Sequence, residues 1–124
     1  MTSSTTNLNV EVKFTAFDDK RERVLVKKLN EAGRQHFRVR IFLEGPDIDQ
    51  VDRVVYTLHP TFPNPRREIS TRPRFELIIW TWGIFSLDVE IYAKSGQVDH
   101  RAVMLDYSAE IETARRNNQL FWAS

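Results

Sequence analysis

Runs in which apolar and polar residues alternate recur along this chain, and they restrict its fold more than any other feature. In the clearest run, every second residue from Phe37 to Leu43 is apolar, and the run stops at a Gly-Pro-Asp turn that begins at Gly45. Alternation with a period of two is typical of a strand with one buried and one solvated face. Comparable runs cover residues 8–16, 23–28, 51–58, 68–71, 85–92 and 101–107. About eight short strands separated by turn signals predict an all-β, antiparallel β-sandwich.

Two segments depart from simple alternation. Residues 75–80 are almost uniformly apolar, which predicts a strand that is covered on both faces or that leads into the rim of a binding site. Residues 109–119 are polar and predict a short helix, and an isolated apolar group at 120–122 follows. We expect that group to dock on the sandwich or on a second copy of the chain.

The same patterns predict the domain organisation. The Ser/Thr-rich residues 1–7 are expected to form a disordered N-terminus, residues 8–112 one β-sandwich domain, and residues 113–124 a C-terminal tail with a short helix. A chain of 124 residues is long enough for one domain with its own core.

Composition narrows the function classes. The net charge of +1 argues against a broad surface for polyanions, so nucleic acid is not favoured as the main partner. The chain has no cysteine, which removes disulfides and thiolate chemistry. His36, His59 and His100 lack the spacing of metal ligands. We therefore expect neither a metal nor a cofactor.

Nothing in the sequence predicts a membrane protein. No apolar run approaches the roughly 20 residues that cross a bilayer, and the first residues, MTSSTTNLNV, lack the basic start and apolar centre of a signal peptide. We expect a cytoplasmic protein, or a nuclear one if the source is eukaryotic.

The segment from His59 to Phe85 is the strongest candidate for a functional site. Three of the five prolines lie within six of its residues: Pro60, Pro63 and Pro65. Proline fixes φ and removes a backbone donor, so residues 59–66 are expected to form a stiff, exposed loop rather than a helix or a central strand. This loop carries Thr61 and Phe62, and a second turn carries Trp82 beside Gly83. Large aromatic side chains on stiff loops indicate a preformed recognition site.

Four motifs, in order, give the chain a resemblance to a known family. They are IFLEGPD, LHPTFPNPRRE, WGIF followed by SLDVEIY, and a late Asp106-Tyr107 pair. Together they resemble the YEATS domain, and the resemblance runs from about Val10 to Ile111. Because the domain fills most of this chain, it looks like a stand-alone, prokaryotic-type member. Thr81, at the position before the turn aromatic where the family often has a small residue, is a departure from the pattern.

The resemblance implies an immunoglobulin-like sandwich and a function. YEATS domains read acylated lysine, acetyl or crotonyl, and the resemblance implies an acylated protein tail or a similar small acyl-amide as the ligand. The acyl amide would lie between the rings of Phe62 and Trp82, with the Trp82 backbone amide donating to the acyl carbonyl. Thr61 would contact the amide and His59 would orient the loop. The predicted ligand-binding residues are therefore His59, Thr61, Phe62, Trp80, Trp82 and Gly83, and no catalytic residue is expected.

Each of these residues also has an ordinary structural interpretation. Phe62 and Trp82 could pack on the loop prolines, and Trp80 could belong to the core or to the rim. His59 could be a structural histidine whose ring holds the loop by hydrogen bonds. The basic residues nearby could form a solvated edge that discourages strand addition, or could hold an acidic peptide or phosphate; they are Arg66, Arg67, Arg72 and Arg74.

Two other function classes remain as alternatives. The first is a structural or assembly module that uses the same aromatic loops and the aromatic tail at 120–122, including homodimerisation through that tail. The second is an enzyme with Thr61, Ser86 or Ser95 as nucleophile and His59 as base. The chain lacks the Gly-x-Ser-x-Gly elbow of a serine hydrolase, and we expect no enzyme activity.

Overall fold

A computed structural model describes residues 8–18, 20, 22–28 and 34–122. Nine strands and one α-helix lie within these residues: β1 (Glu11–Thr15), β2 (Val24–Lys28), β3 (Gln35–Glu44), β4 (Val51–Thr57), β5 (Arg66–Ile69), β6 (Leu77–Thr81), β7 (Phe85–Ala93), β8 (Val98–Leu105), α1 (Ser108–Arg116) and β9 (Leu120–Trp122). A 3-10 turn, Ile48–Gln50, precedes β4. The predicted strands are confirmed, with β9 as an addition. The N-terminus predicted to be disordered, residues 1–7, lies outside the described residues.

The strands form two sheets. One has the order β1-β3-β2-β9, with β6 paired to β3, and the other has the order β5-β4-β7-β8. The β2–β3, β3–β6, β4–β5 and β4–β7 pairs are antiparallel, whereas β2 and β9 run parallel. The C-terminal apolar group thus docks on its own sheet.

The chain divides into two compact units. The first contains residues 8–13, 42–76 and 86–104, and the second contains the described residues of 14–41 with 77–85 and 105–122. In the first unit, alternate residues of β4 and β7 form the core, as Val54, Tyr56, Leu87 and Ile91 are fully buried. Tyr56 donates a hydrogen bond of 2.8 Å to the Phe75 carbonyl, so its buried hydroxyl is satisfied.

In the second unit, alternate residues of β2, β3 and β6 are buried. Val24, Val39 and Ile41 are fully enclosed. On β6, Leu77 and Ile79 are buried but Ile78 is 40% exposed. The expectation that residues 75–80 are covered on both faces is therefore wrong, because this strand buries only one face.

Helix α1 ties the end of the chain to strands of the second unit. Its Glu110 carboxylate accepts hydrogen bonds of 2.7 Å from the Thr15 hydroxyl and 2.7 Å from the Ala16 amide. After the helix, Gln119 donates to Ala114, and its carbonyl accepts from the Val24 amide at 2.8 Å. The helix runs across position 113, where the sequence patterns place the start of the tail.

Candidate functional site

The proline loop, residues 58–65, is closed by main-chain hydrogen bonds. The Leu58 amide donates to the Pro65 carbonyl at 2.8 Å, and the Phe62 amide donates to the His59 carbonyl at 3.0 Å. Asn64 has a φ of 48°, a left-handed conformation that asparagine tolerates better than most residues. The loop reverses the chain between β4 and the edge strand β5, as the prolines predict.

Arg67 supports this loop from the following strand. Its guanidinium donates to the Asn64 carbonyl and, at 2.9 Å, to the Pro63 carbonyl. A planar guanidinium presents donors in a fixed fork, so it can hold two successive carbonyls at once. The expectation of a solvated basic edge is thus wrong for Arg67.

The other three arginines of this region make different kinds of contact. Arg72 donates at 2.9 Å to the Val51 carbonyl. Arg66 and Arg74 are exposed and make long ion pairs, at 3.8 Å with Glu68 and 3.9 Å with Glu44. Exposed pairs of this kind contribute about 0–1 kcal/mol. The four basic residues therefore do not form one uniform edge.

His59 and Thr61 are joined by two contacts to one nitrogen of the imidazole. The Thr61 amide donates to His59 Nδ1 at 3.2 Å, and Thr61 Oγ1 lies 2.9 Å from the same nitrogen. The imidazole therefore holds both the backbone and the hydroxyl of Thr61 through one nitrogen. Both side chains are exposed, and Phe62 beside them is half-buried.

The Trp82 turn, residues 81–83, follows β6 in the second unit. Tyr107, which is buried, donates its hydroxyl to the Gly83 carbonyl at 3.0 Å and lies 3.3 Å from the Thr81 carbonyl. Burial raises the pKa of Tyr107 above its usual value, so the hydroxyl remains a donor at neutral pH. The Thr81 hydroxyl lies 3.2 Å from the Gly83 carbonyl. The turn is therefore stabilised both by Tyr107, which is distant in sequence, and by Thr81 within the turn itself.

Both tryptophans of this region carry a cation on the ring. Trp82 is 55% exposed, and the Arg34 guanidinium lies 4.1 Å from its ring centroid. Trp80 is half-buried on β6, with the Lys27 ammonium 4.1 Å from its centroid. Contacts of this length are cation–π interactions. The sequence patterns did not predict either of them.

The predicted site residues thus divide between the two units. His59, Thr61 and Phe62 belong to the proline loop of the first unit, while Trp80, Trp82 and Gly83 belong to β6 and the Trp82 turn of the second. His59 and Thr61 are brought into direct contact by hydrogen bonds. Trp80 precedes the turn, on the strand itself. At Gly83, no heavy atom of the described residues lies within 4 Å of the place that a Cβ would occupy.

The structure also adds supporting residues that sequence reasoning did not assign. From the sequence, Tyr107 was assigned only to a motif of the family, and Arg67 only to the basic residues of the surface. No group of three or more His, Asp or Glu residues in the described part of the chain could hold a metal ion. None of the described helices is long and apolar enough to span a membrane.

Comparison with known proteins agrees with the motifs. The prokaryotic YEATS domain family matches residues 37–106, more than half of the chain. Transcription initiation factor TFIID subunit 14 of Schizosaccharomyces pombe is 43% identical over 58 residues, which is 47% of this chain and 24% of that protein. The match therefore spans about a quarter of the length of this curated relative.

Solved structures of YEATS domains resemble the fold. The Yaf9 YEATS domain recognizing an H3K122suc peptide superposes with a TM-score of 0.56 at 26% identity, covering 85% of this chain and 81% of the other. The Yaf9 YEATS domain bound to H3K27ac gives 0.54 at 26% identity, with 86% and 82% covered. These YEATS domains are binding modules.

The predicted fold class, an all-β, immunoglobulin-like β-sandwich, is confirmed by the two sheets and by this likeness. The family match, the order of the motifs and the solved neighbours agree, and the chain belongs to the prokaryotic YEATS domain family.

Proposed function

We propose that this chain is a binding module that captures an acylated lysine on a protein tail. The observation that supports this most directly is its membership of the YEATS family together with its likeness to the Yaf9 YEATS domain, solved with two different acylated histone peptides. Acylation removes the lysine charge and leaves a flat amide with an apolar end. An aromatic cleft suits that group, because aromatic contacts contribute about 0.5–1.5 kcal/mol beyond area burial.

The proposal assigns a role to each predicted residue. Phe62 and Trp82 flank the acyl amide with their rings, and Gly83 leaves room beside the Trp82 turn. Thr61 contacts the acyl amide through its hydroxyl, which His59 holds at 2.9 Å. The Trp82 backbone amide donates to the acyl carbonyl, and Trp80 supports the rim from β6. An amide whose partners were missing would lose about 1–3 kcal/mol on leaving water.

Selectivity against unmodified lysine follows from desolvation. An ammonium would have to shed its hydration to enter an aromatic cleft, and burial of an unpaired charge is strongly unfavourable. The cation already present on Trp82, Arg34, adds repulsion against a second positive charge. The acylated form has neither penalty.

Arg34 also favours one acyl class over the others. A guanidinium 4.1 Å from the Trp82 ring centroid would pair with a carboxylate at the end of an acyl chain. Succinyl-lysine offers such a carboxylate, and acetyl- and crotonyl-lysine do not. We therefore expect succinyl-lysine to bind at least as well as crotonyl-lysine, with an advantage that declines at high salt.

Calorimetric titration tests the proposal with four peptides that differ only in one lysine: unmodified, acetyl, crotonyl and succinyl. We expect heat from the acylated peptides alone. Phe62→Ala and Trp82→Ala should each weaken binding at least tenfold, which corresponds to about 1.4 kcal/mol. Trp122→Ala is the matched control, since Trp122 is also exposed, at 58%, but lies on β9. Absence of binding at millimolar peptide would contradict the proposal.

Gly83→Ala provides a second probe that hardly perturbs the fold. The added methyl group meets no described atom within 4 Å, so the free energy of unfolding should change by less than about 0.5 kcal/mol. If the ligand contacts this turn, the added methyl group will lower the affinity for the acylated peptide even though the stability of the fold is unchanged. Unchanged affinity would remove Gly83 from the site.

The assembly alternative is favoured by one observation. Phe121 and Trp122 on β9 are 45% and 58% exposed. Truncation after Asn118 would delete β9, so the better variant is Phe121→Ser with Trp122→Ser. Sedimentation velocity of this variant and of the native chain at increasing concentration distinguishes the two functions. A dimer that the double substitution dissociates would support assembly, and two monomers would exclude it.

A further inference from the structure

The sheet of the second unit has two chemically different faces. The face with the core carries Val24, Val26, Phe37, Val39, Ile41 and Ile79, all buried. Strand alternation puts other residues of β2, β3, β6 and β9 on the opposite face, which we call the basic face: Leu25, Lys27, His36, Arg38, Arg40, Ile78, Trp80 and Phe121. Arg40 is buried, at 9% exposed, so Lys27 and Arg38 are the partly exposed permanent cations of this face.

Strand register brings three of these side chains into one cluster. Arg38 on β3 lies directly opposite Trp80 on β6, and Lys27 on β2 lies opposite His36 on β3. The Lys27 ammonium nevertheless reaches 4.1 Å from the Trp80 ring centroid. It therefore crosses β3, because neighbouring strands are about 4.8 Å apart. The Lys27 ammonium thus lies on the Trp80 ring, and Arg38 is the cross-strand neighbour of Trp80.

Neither of these two cations is neutralised within the described part of the chain. Lys27 and Arg38 form no ion pair with any carboxylate that the structure describes. Arg23, on the same unit, shows the opposite case, since it pairs with Asp18 at 3.4 Å. A pair of like charges beside an aromatic ring is a site that an anion with a flat ring would satisfy.

Among macromolecules, single-stranded nucleic acid offers both groups. Its phosphates pair with Lys and Arg, and its bases stack on aromatic side chains in a way that tolerates any sequence. Sheet faces that combine aromatic and basic residues are used for this purpose in RNA-binding domains. An acidic peptide would neutralise the cations but leave the indole unused.

We propose that the basic face is a weak binding surface for single-stranded nucleic acid, centred on Lys27, Arg38 and Trp80. The base stacks on Trp80 in the place that Lys27 occupies, and the released ammonium moves to a phosphate. Arg38 holds a neighbouring phosphate. The proposed surface is small. This agrees with the low net charge of the chain, which does not favour a broad surface for polyanions.

Fluorescence anisotropy with a labelled oligodeoxythymidine of about twelve nucleotides tests this, since such a strand spans one single-strand site. With two phosphates neutralised, the logarithm of the affinity should fall with the logarithm of salt with a slope of about −1.4. Arg38→Glu should weaken binding at least tenfold at low salt, and Trp80→Leu should weaken it about tenfold through loss of stacking. Circular dichroism and urea unfolding establish that each variant is folded.

Lys94→Glu is the matched control, because it makes the same charge change on an exposed turn of the first unit. Equal weakening by Lys94→Glu would show that only net charge matters and would overturn the proposal. So would displacement of the oligonucleotide by polyglutamate at equal charge concentration, or no binding at low salt. If Arg38→Glu does not fold, Arg38→Gln replaces it; a reduction of the salt slope by about 0.7 supports the proposal and an unchanged slope overturns it.

Discussion

The proline loop and the Trp82 turn present the two proposed ligand-binding rings, yet they are held in different ways. The proline loop is supported by residues that are near in sequence: His59 binds Thr61, and Arg67 binds the carbonyls of Pro63 and Asn64. The Trp82 turn is supported by the Tyr107 hydroxyl, 24 residues beyond Gly83. Local support survives loosening elsewhere in the chain, whereas support from a distant residue depends on the fold around it.

The largest effect should come from removing the distant support. Tyr107→Phe keeps the ring but removes the buried hydroxyl that donates to the Gly83 carbonyl and lies 3.3 Å from the Thr81 carbonyl, which costs about 1–3 kcal/mol. We expect a lower free energy of unfolding in urea and weaker acyl-peptide binding. Tyr92→Phe is the control, because its hydroxyl contacts the partly exposed Glu90 carboxylate at 3.2 Å and should contribute little. Equal losses from both substitutions would mean that Tyr107 does not act on the turn.

Removal of the local support should have a smaller effect. Arg67→Met retains an unbranched side chain but deletes two hydrogen bonds to loop carbonyls. We expect a loss of about 0.5–1.5 kcal/mol, because the loop is exposed and water can replace the donors. Hydrogen exchange of the Phe62 amide should accelerate while that of β6 stays unchanged. Arg66→Met, which removes only a long surface ion pair, should leave both unchanged; acceleration by this variant too would contradict the assignment to Arg67.

The smallest expected effect is on how the free energy of unfolding depends on pH in the acid range. Burial acts to raise the pKa of Asp99, but hydrogen bonds from Gln97 and from the Leu8 amide, together with Arg101, outweigh it. The pKa of Asp99 is therefore lower in the folded chain than in the unfolded one. Its stabilisation is present above the unfolded value of about 4 and is lost as the pH falls through the folded value.

In the second unit, the pKa of Asp18 is lowered mainly by the Glu22 amide, on an exposed turn. Urea unfolding between pH 7 and pH 2 should therefore show a flatter acid limb for Asp99→Asn than for the native chain. Asp18→Asn should flatten it less, because the Asp18 side chain is less buried than that of Asp99, at 16% against 5% exposed, and solvent screens it more. If the acid limb of Asp99→Asn has the native steepness, Asp99 does not contribute to acid sensitivity.

Strands were predictable wherever one side chain in two is buried. Phe37, Val39, Ile41 and Leu43 are all 8% exposed or less, as their alternation predicts. The proline loop was predictable for a similar reason, since proline restricts the chain through its own ring. In both cases the cause lies within a few residues of the effect.

The remaining features depend on partners that are distant in sequence. Strand β9 has only three residues, too few for a recognisable period, and it exists because Val24 to Val26 lie beside it. The cations on Trp80 and Trp82 come from Lys27 and Arg34, on or beside other strands. The prediction that residues 75–80 are covered on both faces was wrong because an apolar side chain can also point to solvent, as Ile78 does at 40% exposure.

The parallel pairing of β9 with β2 has a consequence for biosynthesis. Val24 finds its partner, Leu120, only after the residues between them have been synthesised. At about 5–20 residues per second, β2 waits several seconds with an open edge. During that interval the nascent chain is most open to mispairing with a neighbouring polypeptide.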